Sequence, residues 1–320
     1  MKKALFLSTC ILFCFSVYSS TFAQVDTTKV SFIAYWSVGD VYKYEVSKYK
    51  KQWSGDDLIK NDSSKYLAKF EVIDSTETSY KVKWEYENEI FRSAEIPDEV
   101  LNKIGYSSIT EVIFLTDEYG TYQGIENWEE IRDMIIGVFD VLIPILSEGK
   151  DTESIYSALS PMIEMYKTKA GIEDYLLPEL NYFHFPLGSE FAIGEVFEYE
   201  EFLANMFGNE KIKAKAKVYL DEVDFEDDYC ILIQEMELDE KGSKKMVSDY
   251  FKLLKLESEE LDIAMEEAIM EINDFNVFGY YFYPGVPDYI HVKREVYFEL
   301  GEEVSSRRDQ TIIKLYFDEN

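Results

Sequence analysis

The sequence predicts an α+β protein whose antiparallel, curved sheet is built from two repeated β units and carries helices packed on its apolar face. Three observations lead there: period-two alternation in segments of both halves, helical periodicity between them, and a ten-residue stretch that recurs 155 residues later.

The recurrence comes first. Trp36-Ser-Val-Gly-Asp-Val-Tyr-Lys-Tyr-Glu45 aligns without gaps on Phe191-Ala-Ile-Gly-Glu-Val-Phe-Glu-Tyr-Glu200. Further on, Ala68-Lys69-Phe70 falls against Ala216-Lys217-Val218, and Tyr80 to Trp84 against Tyr229 to Ile233, in the same order. The expected organisation is therefore a leader over residues 1–23, a first β-plus-helix repeat over 24–185, and a second over 186–320, packed with the first as one unit.

Each unit reads as a strand, a polar connection and a hairpin. Tyr80, Val82, Trp84 and Tyr86 alternate with Lys81, Lys83, Glu85 and Glu87 beyond a turn at Asp74 to Thr78, the pattern of a sheet with one wet face. In the second unit Ile212, Ala214, Ala216, Val218 and Leu220 alternate with a lysine row, Lys211 to Lys217, suited to a solvated face and to guarding an edge strand. Between the hairpins, Asn127-Trp-Glu-Glu130 offers a capping-box-like start to a helix through Ile131, Met134, Ile135, Val138, Phe139 and Leu142, which Pro144 should kink or end. Ser160-Pro161 fits an N-cap and first turn of another helix that Gly171 would stop. Ser243 to Leu256 and Ser258 to Ile272 read as two more helices, and strands near Val277 to Tyr283, Tyr289 to Leu300 and Gln310 to Phe317 close the chain.

Residues Met1 to about Ala23 read as a cleavable secretory signal. Lys2 and Lys3 form a basic start, Ala4 to Val17 an apolar stretch, and Thr21-Phe22-Ala23 a small-x-small site, so the working protein is expected outside the cytoplasm, in the periplasm or beyond. The apolar stretch is shorter than the roughly 20 residues of a membrane span, so no transmembrane segment is expected in the mature chain. Cys10 has too little apolar sequence before it for a lipobox, which leaves Cys230 as the one cysteine of the mature protein. A single cysteine closes no intrachain disulfide, and in the run Tyr229 to Ile233 it reads as a buried, inert thiol.

Composition narrows the function. With 63 acidic against 32 basic side chains, the net charge is −31, which repels nucleic-acid phosphates and excludes nucleic acid as a partner. Two histidines, His184 and His291, cannot supply an HExxH site, and no GxSxG, GxGxxG or GxxxxGK[ST] run occurs, so no cofactor, metal or catalytic triad is expected. The densest acidic run, Asp221 to Asp228, lacks the spacing of a calcium loop and fits a hairpin tip.

What remains is aromatic surface. Tyr42, Tyr44, Trp84 and Tyr86 on strands, Trp128 and Phe139 on a helix, and Tyr281 and Tyr283 in Phe278 to Gly285 are candidates for lining a hydrophobic site for a small molecule or lipid. The competing readings are that these rings are filled core in a structural or interaction module with an envelope protein as partner, or, third, that a carboxylate pair makes a hydrolase. The opener Trp36 to Tyr42, the segment Leu115-Thr-Asp-Glu-Tyr-Gly120 ahead of Asn127-Trp128, and the close from Arg294 through Arg308 to Ile312-Ile-Lys314 resemble uncharacterised exported bacterial envelope proteins. In architecture alone, strands flanking internal helices are similar to lipoprotein-carrier folds, which implies a sheet wrapped on helices around an acyl-chain cavity.

Overall fold

The computed structural model describes residues 28–86, 111–147, 151–205, 207–208, 210–253, 256 and 258–317; the leader and its cleavage site lie outside the described residues. The alternating segments form thirteen strands. These are β1 (Lys29–Ser31), β2 (Val41–Ser54), β3 (Asp57–Ser75), β4 (Ser79–Tyr86), β5 (Glu111–Asp117), β6 (Tyr122–Ile125), β7 (Glu190–Ala192), β8 (Val196–Leu203), β9 (Ile212–Asp224), β10 (Tyr229–Leu238), β11 (Ile269–Tyr281), β12 (Val286–Leu300) and β13 (Glu303–Tyr316).

Eleven of them make one open antiparallel sheet in the order β6-β5-β4-β3-β2-β13-β12-β11-β10-β9-β8, while β1 and β7 pair as a small second sheet. The join lies in the middle, where β2 meets β13 from Lys43↔Tyr316 to Ser54↔Ser305, so both halves of the chain share a single sheet. Among the described residues the edges are β6 and β8. The lysine row of β9 therefore stands one strand in from the edge and does not guard it.

Helices cover the apolar face. They are α1 (Trp128–Leu146), α2 (Thr152–Tyr166), the single turn α3 (Lys169–Gly171) running into a π-helical turn (Ile172–Leu176), α4 (Pro178–His184), α5 (Glu240–Leu253) and α6 (Glu259–Glu267). Along α1 the buried residues Ile131, Ile135, Val138, Phe139 and Ile143 recur at helical spacing, the stripe that seats a helix on a sheet. The centre of the core is Phe183 of α4, stacked on Phe70 at 5.1 Å and edge-on to Tyr44 at 5.3 Å and Trp84 at 5.7 Å. Burying each such ring is worth about 1.5–3 kcal/mol, which is why these positions fix the register of the central strands.

Several local expectations change. Asn127 does not cap α1; its Oδ1 accepts from the Ile113 amide at 2.9 Å and its Nδ2 reaches the Glu111 carbonyl, because β6 is too short to satisfy that end of β5. Pro144 sits inside α1, which runs two residues past it, and Pro161 sits inside α2, whose cap is Asp151, accepting from the amides of Glu153 and Ser154. The stretch Ala268 to Ile272 is not helical. The helix stops at Glu267 and β11 begins at Ile269, its inward positions being Met270, Ile272, Asp274, Asn276, Phe278 and Tyr280. Asp274 and Asn276 hide the strand's alternation in the sequence, and both are satisfied in place: Arg294 grips Asp274 through two bonds of 2.7 and 2.6 Å, and Asn276 donates to Gln234 Oε1 at 2.8 Å. This polar seam separates the main core from a smaller apolar cluster of Ile212, Ala214, Leu238, Met270 and Ile272 under α5.

Candidate hydrophobic groove

At the β8 edge no helix among the described residues covers the apolar face of the large sheet around Phe197. The strand reaches that edge through Phe191 of β7, whose pairing with β1 (Val30↔Phe191) holds it against Phe32, with ring centroids 5.8 Å apart. Phe185, just past α4, stacks on Phe278 at 4.7 Å and closes one end. Between them lies an open groove of about 630 Å³, floored by Phe197, Tyr199 and Val218 and walled by Phe185, Phe191 and Val196. That volume is within the range of small-molecule sites, roughly 300–1,000 Å³.

Polar groups mark its margins. Lys29 and Ser31 bind Glu190 at 2.9 and 2.8 Å, and Glu195 and Glu201 complete an acidic rim. The floor is oriented from beneath, since the Tyr199 hydroxyl accepts from Gln234 Nε2 at 2.6 Å and Gln234 is in turn held by Asn276. Partial burial raises the Tyr199 pKa, so the ring stays neutral. Phe197 lies over Tyr199 at 5.7 Å and is 60% exposed, an unusual state for a phenylalanine flanked by a concave apolar wall.

A second concavity, of about 670 Å³, is lined mainly by outward side chains of β8 to β12. Its charges neutralise one another across strands, as in Lys217–Glu235 at 3.1 Å and Lys293–Glu295 at 3.1 Å, and Lys293 covers the Phe275 ring. Charged side chains make up most of its lining.

The rings singled out in the sequence do not converge on one site. Tyr44 and Trp84 are fully buried and stacked at 5.9 Å, Tyr86 is buried, and Phe139 is buried against Tyr166 at 6.3 Å. Trp128 is partly covered, with Arg132 over its ring, and Tyr42 packs beside Phe70 at 6.0 Å. Tyr281 meets Tyr229 at 5.4 Å, and Tyr283, 62% exposed, meets Tyr35 at 5.6 Å. The groove is lined instead by Phe185, Phe191, Phe197 and Tyr199, none of them among those candidates. Their signal was present in Val196-Phe-Glu-Tyr-Glu-Glu-Phe-Leu203, a strand with large apolar residues on both faces, which is unneeded where only one face is buried.

Other buried chemistry is structural. Glu179 accepts from Tyr66 at 2.7 Å, from Lys48 at 3.1 Å and from Tyr86 at 3.5 Å, and burial followed by this carboxylate pushes both phenols well above their usual pKa. His184 donates from Nδ1 to the Gly120 carbonyl at 2.8 Å among the rings of Trp36, Phe114 and Tyr122, and burial lowers its pKa to about 4. The Cys230 thiol is buried and pushed up to about 12, out of reach of thiolate chemistry near neutrality. The acidic run Asp221 to Asp228 ends β9 and makes the turn into β10, where Asp224 accepts from the Glu226 and Asp227 amides. Among the described residues no group of three or more metal-ligating side chains gathers, and no helix is long and apolar enough to cross a membrane.

No family model matches the chain, and no curated protein matches it. Among solved structures, an outer membrane channel from Pseudomonas putida F1 is similar at 6% identity and a TM-score of 0.20, over 89% of this chain and 98% of that one, a likeness too slight to argue from.

Proposed function

We propose that this is an exported, non-enzymatic envelope protein that binds a hydrophobic or envelope-derived ligand in the groove beside β8. The observation that carries the reading is a concave apolar wall with one ring, Phe197, 60% open to solvent, while comparable rings elsewhere on the same sheet face are sealed under helices. Exposed apolar surface of this kind costs solubility unless something covers it. The export part rests on the leader Met1 to Ala23. The duplication belongs to the same proposal. It draws on Gly39 and Gly194, which hold positive φ of 95° and 78° two residues ahead of β2 and β8, and on the matching order of β2-β3-β4 and β8-β9-β10.

Native mass spectrometry on gently purified protein tests the binding. The expected result is a co-purifying or added acyl-chain ligand, retained by the unaltered protein and lost at least tenfold in Phe197→Glu, a surface change that leaves the fold intact. Equal retention by both proteins, or no uptake of an acyl-chain probe by either, overturns it.

A further inference from the structure

We propose that the free edge of β8 is a docking strand for an extended polypeptide whose side chains alternate between lysine or arginine and apolar residues.

The two edges of the large sheet are built differently. At β6 the edge is four residues long, is interrupted by a register shift, and is stopped by Glu173, whose Oε1 accepts from the Ile125 amide at 2.7 Å. At β8 the edge runs eight residues without proline and pairs with β9 without a shift, and among the described residues its other side has no partner strand. Natural edges of this length are blunted by lysine, proline, a bulge or inward charge; β8 has no lysine, proline or bulge, and its one inward charge, Glu201, lies toward its C-terminal end, past Phe197 and Tyr199. Its apolar residues are instead presented outward, with Val196 56% and Phe202 55% exposed.

Charge says what would fit. On the outer face Glu198 and Glu200 of β8 stand opposite Lys217 and Lys215 of β9, Lys213 reaches Glu200 at 2.6 Å, and Lys217 reaches Glu235 of β10 at 3.1 Å. The sign thus alternates strand by strand, acidic, basic, acidic, and the next strand outward continues the ladder if it is basic. On the inner face the same strand meets Phe197 and Tyr199, which favour apolar partners. A second copy of this chain fits badly, because pairing β8 with β8 sets Glu198 and Glu200 of each copy against those of the other. Main-chain bonds would supply affinity and the alternation specificity, as in other strand additions.

The test uses the full chain and a labelled, acetylated eight-residue peptide alternating lysine and leucine, followed by fluorescence anisotropy. Binding is expected to fall at least tenfold when the peptide is N-methylated at one parity of positions and to persist at the other, since alternate amides face the same side of a strand. The double variant E198K/E200K, checked for folding by circular dichroism, should weaken the lysine peptide at least tenfold and admit a glutamate–leucine peptide. Neither glutamate lines the groove, so acyl-chain retention should not change, which keeps this proposal separate from the one above. Equal binding of both N-methylated series, indifference to the charge reversal, or sedimentation showing a β8-dependent dimer that the peptide does not dissociate would each overturn it.

Discussion

Removing the Glu179 carboxylate should be among the most damaging single changes in the molecule. Glu179 is 2% exposed and lies between Tyr66 and Tyr86, both buried, while its third partner Lys48 keeps 34% of its side chain in solvent. In Glu179→Ala, Lys48 can turn to water at little cost, but two phenol hydroxyls lose their acceptor inside the core. Each buried donor left unsatisfied costs about 1–3 kcal/mol, so about 2–6 kcal/mol is expected for the two phenols together. Glu179→Gln keeps an acceptor for Tyr66 and should cost about 1–2 kcal/mol. Replacing the whole set, Lys48→Met with Tyr66→Phe, Tyr86→Phe and Glu179→Leu, should recover most of the loss, because the penalty comes from orphaned groups and not from absent charge. Urea unfolding with linear extrapolation reads all three. If Glu179→Ala lies within 1 kcal/mol of the unaltered protein, or the fourfold variant is no better than the single one, the assignment of Glu179 as a buried anchor fails.

Two further outcomes follow from burial and backbone. His184 has a folded pKa lowered to about 4 against an ordinary 6.5, so the unfolded chain takes up its proton first as pH falls. Its contribution to stability is therefore intact above about pH 6.5, is lost progressively down to about pH 4, and is constant below; a shift of this size corresponds to ~3 kcal/mol. Comparing the protein with His184→Gln by urea unfolding at pH 7.5 and 4.5 should show a steeper loss in the former, and parallel losses refute the point. Gly120 and Gly194 form a paired test, since both have positive φ, but a Cβ on Gly120 would lie 2.8 Å from the Ala34 Cβ and one on Gly194 meets nothing within 4 Å. Gly194→Ala should cost about 1 kcal/mol from the backbone alone, and Gly120→Ala clearly more, about 2–4 kcal/mol, in the same assay.

Much of the fold is written locally. Tyr80 to Tyr86 and Ile212 to Leu220 alternate because one sheet face is dry, and α1 announces itself through the spacing of Ile131, Ile135 and Phe139. Errors cluster where a distant partner overrules the local signal. Asn127 looks like a cap and is drawn off to β5; Asp274 and Asn276 interrupt the apolar alternation ahead of Val277, yet face inward because Arg294 and Gln234 meet them there. The candidate site suffered the same way. Tyr44 and Trp84 have the composition of a binding wall, and Phe183, more than ninety residues later in the chain, fills the space in front of them.

The sequence by itself determined the acidic balance, the strands and the residues of their dry face, since each depends on side-chain identity or on a period of two. Only the tertiary structure decided that β2 and β13 would meet at the centre, that β6 and β8 would be the edges among the described residues, and that helices would seal one stretch of apolar face while leaving Phe197 open. Strand order and helix coverage arise from contacts between residues far apart in the chain, and hydrophobic burial, being non-directional, leaves no local mark of which apolar face finds a cover.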